Sequence, residues 1–170
     1  VLTPVRDDQP YDFVAEKDEP ISYNSQVSVY KNGQLIDQSE NLLTNNGKDF
    51  VESELTGVPS SASTDILDTM ALGDGSAISD TDSDLPGLYE SGGLSAADIS
   101  GSWSDIGTGN ATVSYEWTST ADSQTVGSTA LYWGGSGSTT TDQNFAENTF
   151  TDVTLQTDDR INVTWTLWVT

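Results

Sequence analysis

Apolar and polar residues alternate in several separate stretches of this chain, and the clearest lies at residues 160–170. Ile161, Val163, Trp165, Leu167 and Val169 take every second position, with Asn162, Thr164 and Thr166 between them. A strand points successive side chains to opposite faces, so this spacing predicts one apolar face and one mostly polar face. β-Branched and aromatic residues also suit a pleated, half-buried surface. Trp168 interrupts the polar face and predicts that this face is partly covered as well. An apolar strand at an exposed edge would recruit other chains, which argues for a place in the interior of a sheet.

The same period recurs upstream. In residues 21–38, Ile21, Tyr23, Ser25, Val27 and Val29 alternate with Ser22, Asn24, Gln26 and Ser28. Lys31-Asn32-Gly33-Gln34 then supplies a tight hairpin turn, with Leu35 and Ile36 starting the return strand. Residues 68–72 read as a short strand entering the Gly73-Asp74-Gly75 turn. Further strands are predicted at residues 111–118, 129–133 and 151–156.

One helix is predicted within residues 44–57. Asn45 or Asn46 would cap its start, Gly57 would end it, and Leu43, Phe50, Val51 and Leu55 would form its apolar stripe. Residues 76–109 are polar and rich in serine, aspartate and glycine, punctuated by Leu85, Leu88, Tyr89, Leu94, Ile99, Trp103 and Ile106. That mixture predicts ordered loops with short elements.

Residues 1–20 hold Pro4, Pro10 and Pro20 and lack alternation, although Val1, Leu2, Val5, Tyr11, Phe13 and Val14 are apolar. They read as an extended arm, followed by one domain at residues 21–170; its apolar residues would dock on a neighbouring subunit or, as is more common for a terminus, on its own domain. With about seven or eight short strands, frequent turn signals and one helix, the fold expected is all-β. The specific expectation is a single-domain, jelly-roll-like β-sandwich; an immunoglobulin-like sandwich is the alternative.

Composition narrows the function classes. There are 27 acidic and 5 basic side chains, a formal charge of −22, with neither histidine nor cysteine. Phosphate contacts need lysine and arginine, so direct nucleic-acid binding is not expected. Without histidine or cysteine there is no common general base, no thiolate and no disulfide. No apolar run approaches the roughly 18 residues that span a bilayer, and no signal-peptide pattern opens at Val1. The acids are scattered from Asp7 to Asp159 rather than gathered in a tail. An ordinary acidic surface is the plainer reading of that distribution; the sharper one is a protein adapted to molar salt, where carboxylate repulsion is screened within about 3 Å.

Few constellations suggest chemistry. Asp80-Thr81-Asp82-Ser83-Asp84 sets three carboxylates at alternate positions, like the opening of a calcium loop. Leu85 stands where an EF-hand needs glycine, so Asp80, Asp82 and Asp84 are candidate ligands for structural calcium or sodium, with a capped polar turn as the plainer reading. No other cofactor is expected. Glu116, beside Trp117, occupies the place of a sugar-cleaving acid but reads more simply as a solvated sheet residue. Trp103, Trp117, Trp133, Trp165 and Trp168 could form a carbohydrate platform, although most fall in core phase. Asn110-Ala111-Thr112 and Asn162-Val163-Thr164 match glycosylation sequons but fall at or in strands.

Three stretches carry a resemblance: Leu43-Thr44-Asn45-Asn46-Gly47; Met70-Ala71-Leu72-Gly73-Asp74-Gly75 with Ser79-Asp80-Thr81 and Leu85; and Ile161-Asn162-Val163-Thr164-Trp165-Thr166-Leu167. In this order they resemble small β-sandwich structural proteins of tailed phages and haloarchaeal viruses. The resemblance spans about residues 42–170 and omits the first 40, including the Asn-Gly hairpin. It implies a non-enzymatic virion component: a capsid decoration, turret or shell protein, or alternatively a tail or baseplate subunit. Its partners would be further copies of itself, in three- or five-fold symmetry, and other virion proteins such as the major capsid protein. A carbohydrate-binding sandwich module of a halophile is the competing class.

Overall fold

A computed structural model describes residues 22–56 and 66–169. The proposed arm, the Gly57 helix end and the loop at 58–65 lie outside the described residues. In chain order the elements are β1 (Tyr23–Lys31), β2 (Gln34–Glu40), β3 (Leu42–Leu43), α1 (Asn45–Thr56), β4 (Leu67–Gly73), β5 (Ala97–Asp98), β6 (Ser104–Gly107), β7 (Asn110–Thr118), β8 (Gln124–Trp133), β9 (Asn144–Leu155) and β10 (Arg160–Val169).

Two antiparallel sheets result, one ordered β2-β1-β10-β7-β6 and the other β3-β9-β8-β4-β5. Their facing sides share one core, in which Val27, Val29, Ile161, Val163 and Trp165 of the first sheet meet Met70, Leu72, Leu131, Trp133 and Leu155 of the second. β10 lies between β1 and β7, as its apolar alternation predicts. Ile161, Val163 and Trp165 are fully buried, whereas Asn162, Thr164, Thr166 and Trp168 on the opposite face are half-buried. The β1–β2 hairpin turns at Asn32 and Gly33, with φ values of 48° and 81°, the left-handed pair that a two-residue turn of this twist demands.

The architecture is therefore an all-β sandwich with one short helix among the described residues. β7 and β10 are adjacent in the first sheet while the intervening β8 and β9 are adjacent in the second. Between β7 and β10 the chain thus crosses to the second sheet, makes a hairpin there and returns.

Over β4, β8 and the first half of β9 the second sheet is buried on both faces. Its outer face carries Ala71, Ala130 and Tyr132, onto which Ile78, Leu85, Leu88 and Ala96 of the 74–96 segment pack. A strand covered on both sides keeps no polar face and so loses its alternation. Accordingly β8 begins five residues before the stretch predicted at 129–133, and β9 begins seven before that predicted at 151–156. Bulges between Val126 and Ser128 and between Leu131 and Tyr132 shift the phase further.

The helix starts one residue earlier than the predicted asparagine caps require. Thr44 is the cap: its hydroxyl accepts the Gly47 amide at 2.9 Å. Phe50 and Val51 pack on the core, with the Phe50 ring 5.1 Å from that of Trp133 and 5.7 Å from that of Phe145. Leu55, expected in the same stripe, is instead 71% exposed among the described residues.

Candidate functional site

The outer face of the second sheet gathers the least ordinary chemistry in the molecule. A bulge leaves Phe145 unpaired between Ala146, opposite Leu131, and Asn144, opposite Tyr132. Strand alternation would set Asn144 and Glu147 on opposite faces; the extra residue brings them to the same one. Both are fully buried. The Asn144 amide nitrogen donates to Glu147 Oε1 at 2.6 Å.

The 79–85 loop closes over this pair. Ser79 and Asp82 staple the loop, with the Ser79 amide donating to Asp82 Oδ2 at 2.7 Å. Asp84 Oδ1 accepts from the Tyr132 hydroxyl, which in turn accepts the Leu85 amide at 2.8 Å. Leu85 is buried against the sheet, which anchors the loop where an EF-hand would need a glycine. The start of α1 supports the far side: the Asn45 amide donates to the Asp80 carbonyl at 2.7 Å, and the Thr44 hydroxyl donates to the Asn144 carbonyl.

Electrostatics mark Glu147 as the strained member. Burial pushes its carboxyl up to about 7, with the nearby Asp82 and Asp84 carboxylates adding to the rise and the Asn144 amide opposing it. The Tyr132 hydroxyl is raised as well, by burial first and by its bond to Asp84 second. Glu147 Oε2 and Asn144 Oδ1 are buried without a hydrogen-bond partner.

Of the three aspartates singled out in sequence, Asp82 and Asp84 both face this cluster, whereas Asp80 points away to Lys48 at 3.4 Å. Among the described residues no three acid side chains form a metal cage by themselves. Glu147 and Asn144 were not singled out from sequence. The available signal is a carboxylate directly after the apolar pair Phe145-Ala146, in a stretch without glycine or proline, and its strand character is hidden by the bulge.

The other candidates resolve simply. Glu116 is exposed and pairs with Arg160 at 3.4 Å. Trp117, Trp133 and Trp165 are core residues, and Trp103 packs against the core with its indole nitrogen donating to the Leu67 carbonyl at 2.7 Å. Trp168 lines a small cleft with Tyr23, Asn24, Glu40 and Asn41. Asn110 is exposed, while Asn162 lies mid-strand and accepts from Ser114 at 3.0 Å. Among the described residues no helix is long and apolar enough to cross a membrane.

A second surface feature lies near α1. Phe50, Leu67, Trp103, Ala111 and Leu167 line an open apolar groove, rimmed by Glu54, with Ile66 at its edge 58% exposed. No family model matches this chain, and neither the curated proteins nor the solved structures compared with it give a significant match.

Proposed function

We propose that this chain is a non-enzymatic, self-associating structural protein of a virion, on or near the capsid surface of a halophilic virus. The observation that carries the self-association is the apolar groove beside α1. Contiguous exposed apolar surface marks association sites, and six of the groove's eight lining residues are hydrophobic. Its occupant in this reading is the arm at residues 1–20 of a neighbouring copy, which offers Val1, Leu2, Val5, Tyr11, Phe13 and Val14. Twenty extended residues reach at most about 70 Å, enough to cross a domain of this size. Three- or five-fold rings would use such a head-to-tail contact repeatedly.

In this reading the acids are structural rather than catalytic. Glu147 is sealed from solvent, and Glu116 is paired with Arg160 on an open strand face. Histidine and cysteine are missing from the sequence altogether. The virion location rests on the resemblance carried by the motifs at 43–47, 70–85 and 161–167. Three of the five tryptophans are buried in the core, which leaves only Trp103 and Trp168 for the platform of the carbohydrate-binding alternative.

Co-purification with capsid or tail proteins, followed by labelled electron microscopy of particles, tests the location; the expected result is decoration of the capsid shell with the major capsid protein as partner. Label confined to the tail would move the chain to a baseplate or tail role. Selective binding on a glycan array at high salt would favour the module reading instead. Removal of residues 1–19 is expected to leave a folded protein that sediments as a monomer, and an unchanged oligomer would exclude the arm.

A further inference from the structure

We infer that Glu147 and Asn144 of β9, together with Asp82 of the covering loop, form a binding site for one calcium ion that clamps the 79–85 loop onto the second sheet. This site is independent of the virion reading.

The argument starts from a surplus of acceptors. The Glu147 carboxylate approaches that of Asp82 to hydrogen-bonding range, with Asp84 close behind. Two ionised carboxylates have only acceptor atoms, so their approach requires a proton or a cation between them. The Asn144 amide adds Oδ1, a third oxygen without a donor, from a residue with no exposed surface. Asn144 already spends its donor on Glu147 Oε1, which fixes the amide so that its oxygen remains available. Buried polar atoms in native proteins nearly always find partners, and each orphan costs about 1–3 kcal/mol. Two orphan oxygens on hydrogen-bonded side chains, both 0% exposed, with a second carboxylate beside Glu147, are the vacant half of a coordination shell.

The donor set selects the ion. All three donors are oxygens, two carboxylates and an amide, and the protein has neither histidine nor cysteine to attract a transition metal. Calcium accepts six to eight oxygens in adaptable geometry, including carboxylates, amide and backbone carbonyls and water. Magnesium demands near-ideal octahedral geometry and keeps its waters, which a bulged strand under a short loop is poorly built to supply. Three side chains leave the remaining positions to carbonyls or water.

The placement gives the ion a structural task. Asp82 belongs to the loop that Leu85 and the Tyr132–Asp84 contact hold on the sheet, and Glu147 belongs to the sheet itself. An ion between them would join the cover to the core and neutralise the charge that burial penalises. Asp80, turned to Lys48, takes no part.

Terbium luminescence with calcium competition, at fixed high sodium chloride to suppress loose counter-ions, tests this directly, beside thermal melting in chelator and in added calcium. The expected result is saturable binding of one terbium ion, displaced by calcium but not by equimolar magnesium, and a higher melting temperature with calcium. Glu147→Gln keeps the shape and removes the charge; it is expected to weaken binding by more than about tenfold and abolish the calcium-dependent melting shift. Asp82→Asn provides the same test should Glu147→Gln fold poorly, and Asp80→Asn is expected to bind like the wild type. The inference is overturned by non-saturable binding that Glu147→Gln and Asp82→Asn leave unchanged, by loss of binding in Asp80→Asn alone, or by a wild type whose melting ignores calcium and chelator alike. In that last case a proton sits between the two carboxyls.

Discussion

Asp159 shows how single acids hold this molecule's turns. Its carboxylate accepts the Asn32 side-chain amide at 2.9 Å and the Gln156 amide at 2.9 Å, and pairs with Lys31 at 3.0 Å. Asn32 answers in kind: its side-chain oxygen accepts the Arg160 amide at 2.8 Å, and its own amide donates to the Arg160 carbonyl at 2.9 Å. The β1–β2 turn is thereby fastened to the β9–β10 turn. These donors depress the Asp159 carboxyl to about 2, the Asn32 side chain contributing most, then the Gln156 amide and Lys31. An ordinary aspartate in the unfolded chain titrates near about 3.9. A depressed folded-state value means that the stabilisation is complete above the unfolded value and is lost as pH falls through the folded one. Stability is therefore expected to decline between about pH 4 and pH 2, and the decline should be shallower in Asp159→Asn. Denaturant melts of the two proteins across pH 2–6 check this; parallel curves would remove Asp159 from the acid response. Asp37, Asp74, Asp98 and Asp122 are lowered in the same direction by nearby backbone amides or serine and threonine hydroxyls, so the Asp159→Asn variant keeps a residual acid sensitivity.

At the scale of elements, α1 is held by fit at one residue as much as by its apolar face. Gly47 sits in the first turn against the β9 bulge, where an added Cβ would lie 2.0 Å from the Phe145 carbonyl oxygen and 2.9 Å from its carbon. Replacing a helical glycine by alanine ordinarily stabilises by about 1 kcal/mol. Here the obstacle is backbone, which cannot rotate aside, so Gly47→Ala is expected to destabilise by about 1–3 kcal/mol. Glu52→Ala, at an exposed position of the same helix, is the control and should change little. Equal melting of both variants would mean that α1 is not seated on β9 as described. The same bulge explains what could and could not be read in advance. β1, β7 and β10 each have one core face and one wetter face, so their alternation places them directly; even the interior position of β10 follows from its apolar side. β8 and the first half of β9 are covered on both sides, and both strands are interrupted by bulges, so only their most regular ends register as strands. For the acid cluster, the sequence supplies Asp82 and Asp84 through their spacing. It hides Glu147 and Asn144, because their shared face depends on one unpaired residue and on a cover that arrives from more than fifty positions away.

For the whole molecule the governing quantity is charge. Lys31, Lys48 and Arg160 are the basic side chains among the described residues, and each already has an acidic partner: Asp159, Asp80 and Glu116. The remaining carboxylates face one another across a surface carrying a formal −22 over the full sequence. At molar salt the screening length is about 3 Å, shorter than most separations between surface charges; at 0.01 M it is about 30 Å, and repulsion acts across the entire domain. Self-repulsion of this kind opposes both the compact state and any contact between copies. Lowering sodium chloride from molar to about 10 mM is expected to dissociate the assembly first, because a subunit interface adds the repulsion of two such surfaces, and to lower the melting temperature next. Sedimentation and thermal melting over a salt series check both steps, and potassium chloride should act as sodium chloride does because screening depends on ionic strength. Calcium separates the two electrostatic effects: its contribution at Glu147 should saturate with one ion bound, whereas the response to monovalent salt should continue through the molar range. A melting temperature unchanged between 10 mM and molar salt would end the argument for adaptation to a saline environment, since screening would then have no repulsion to relieve.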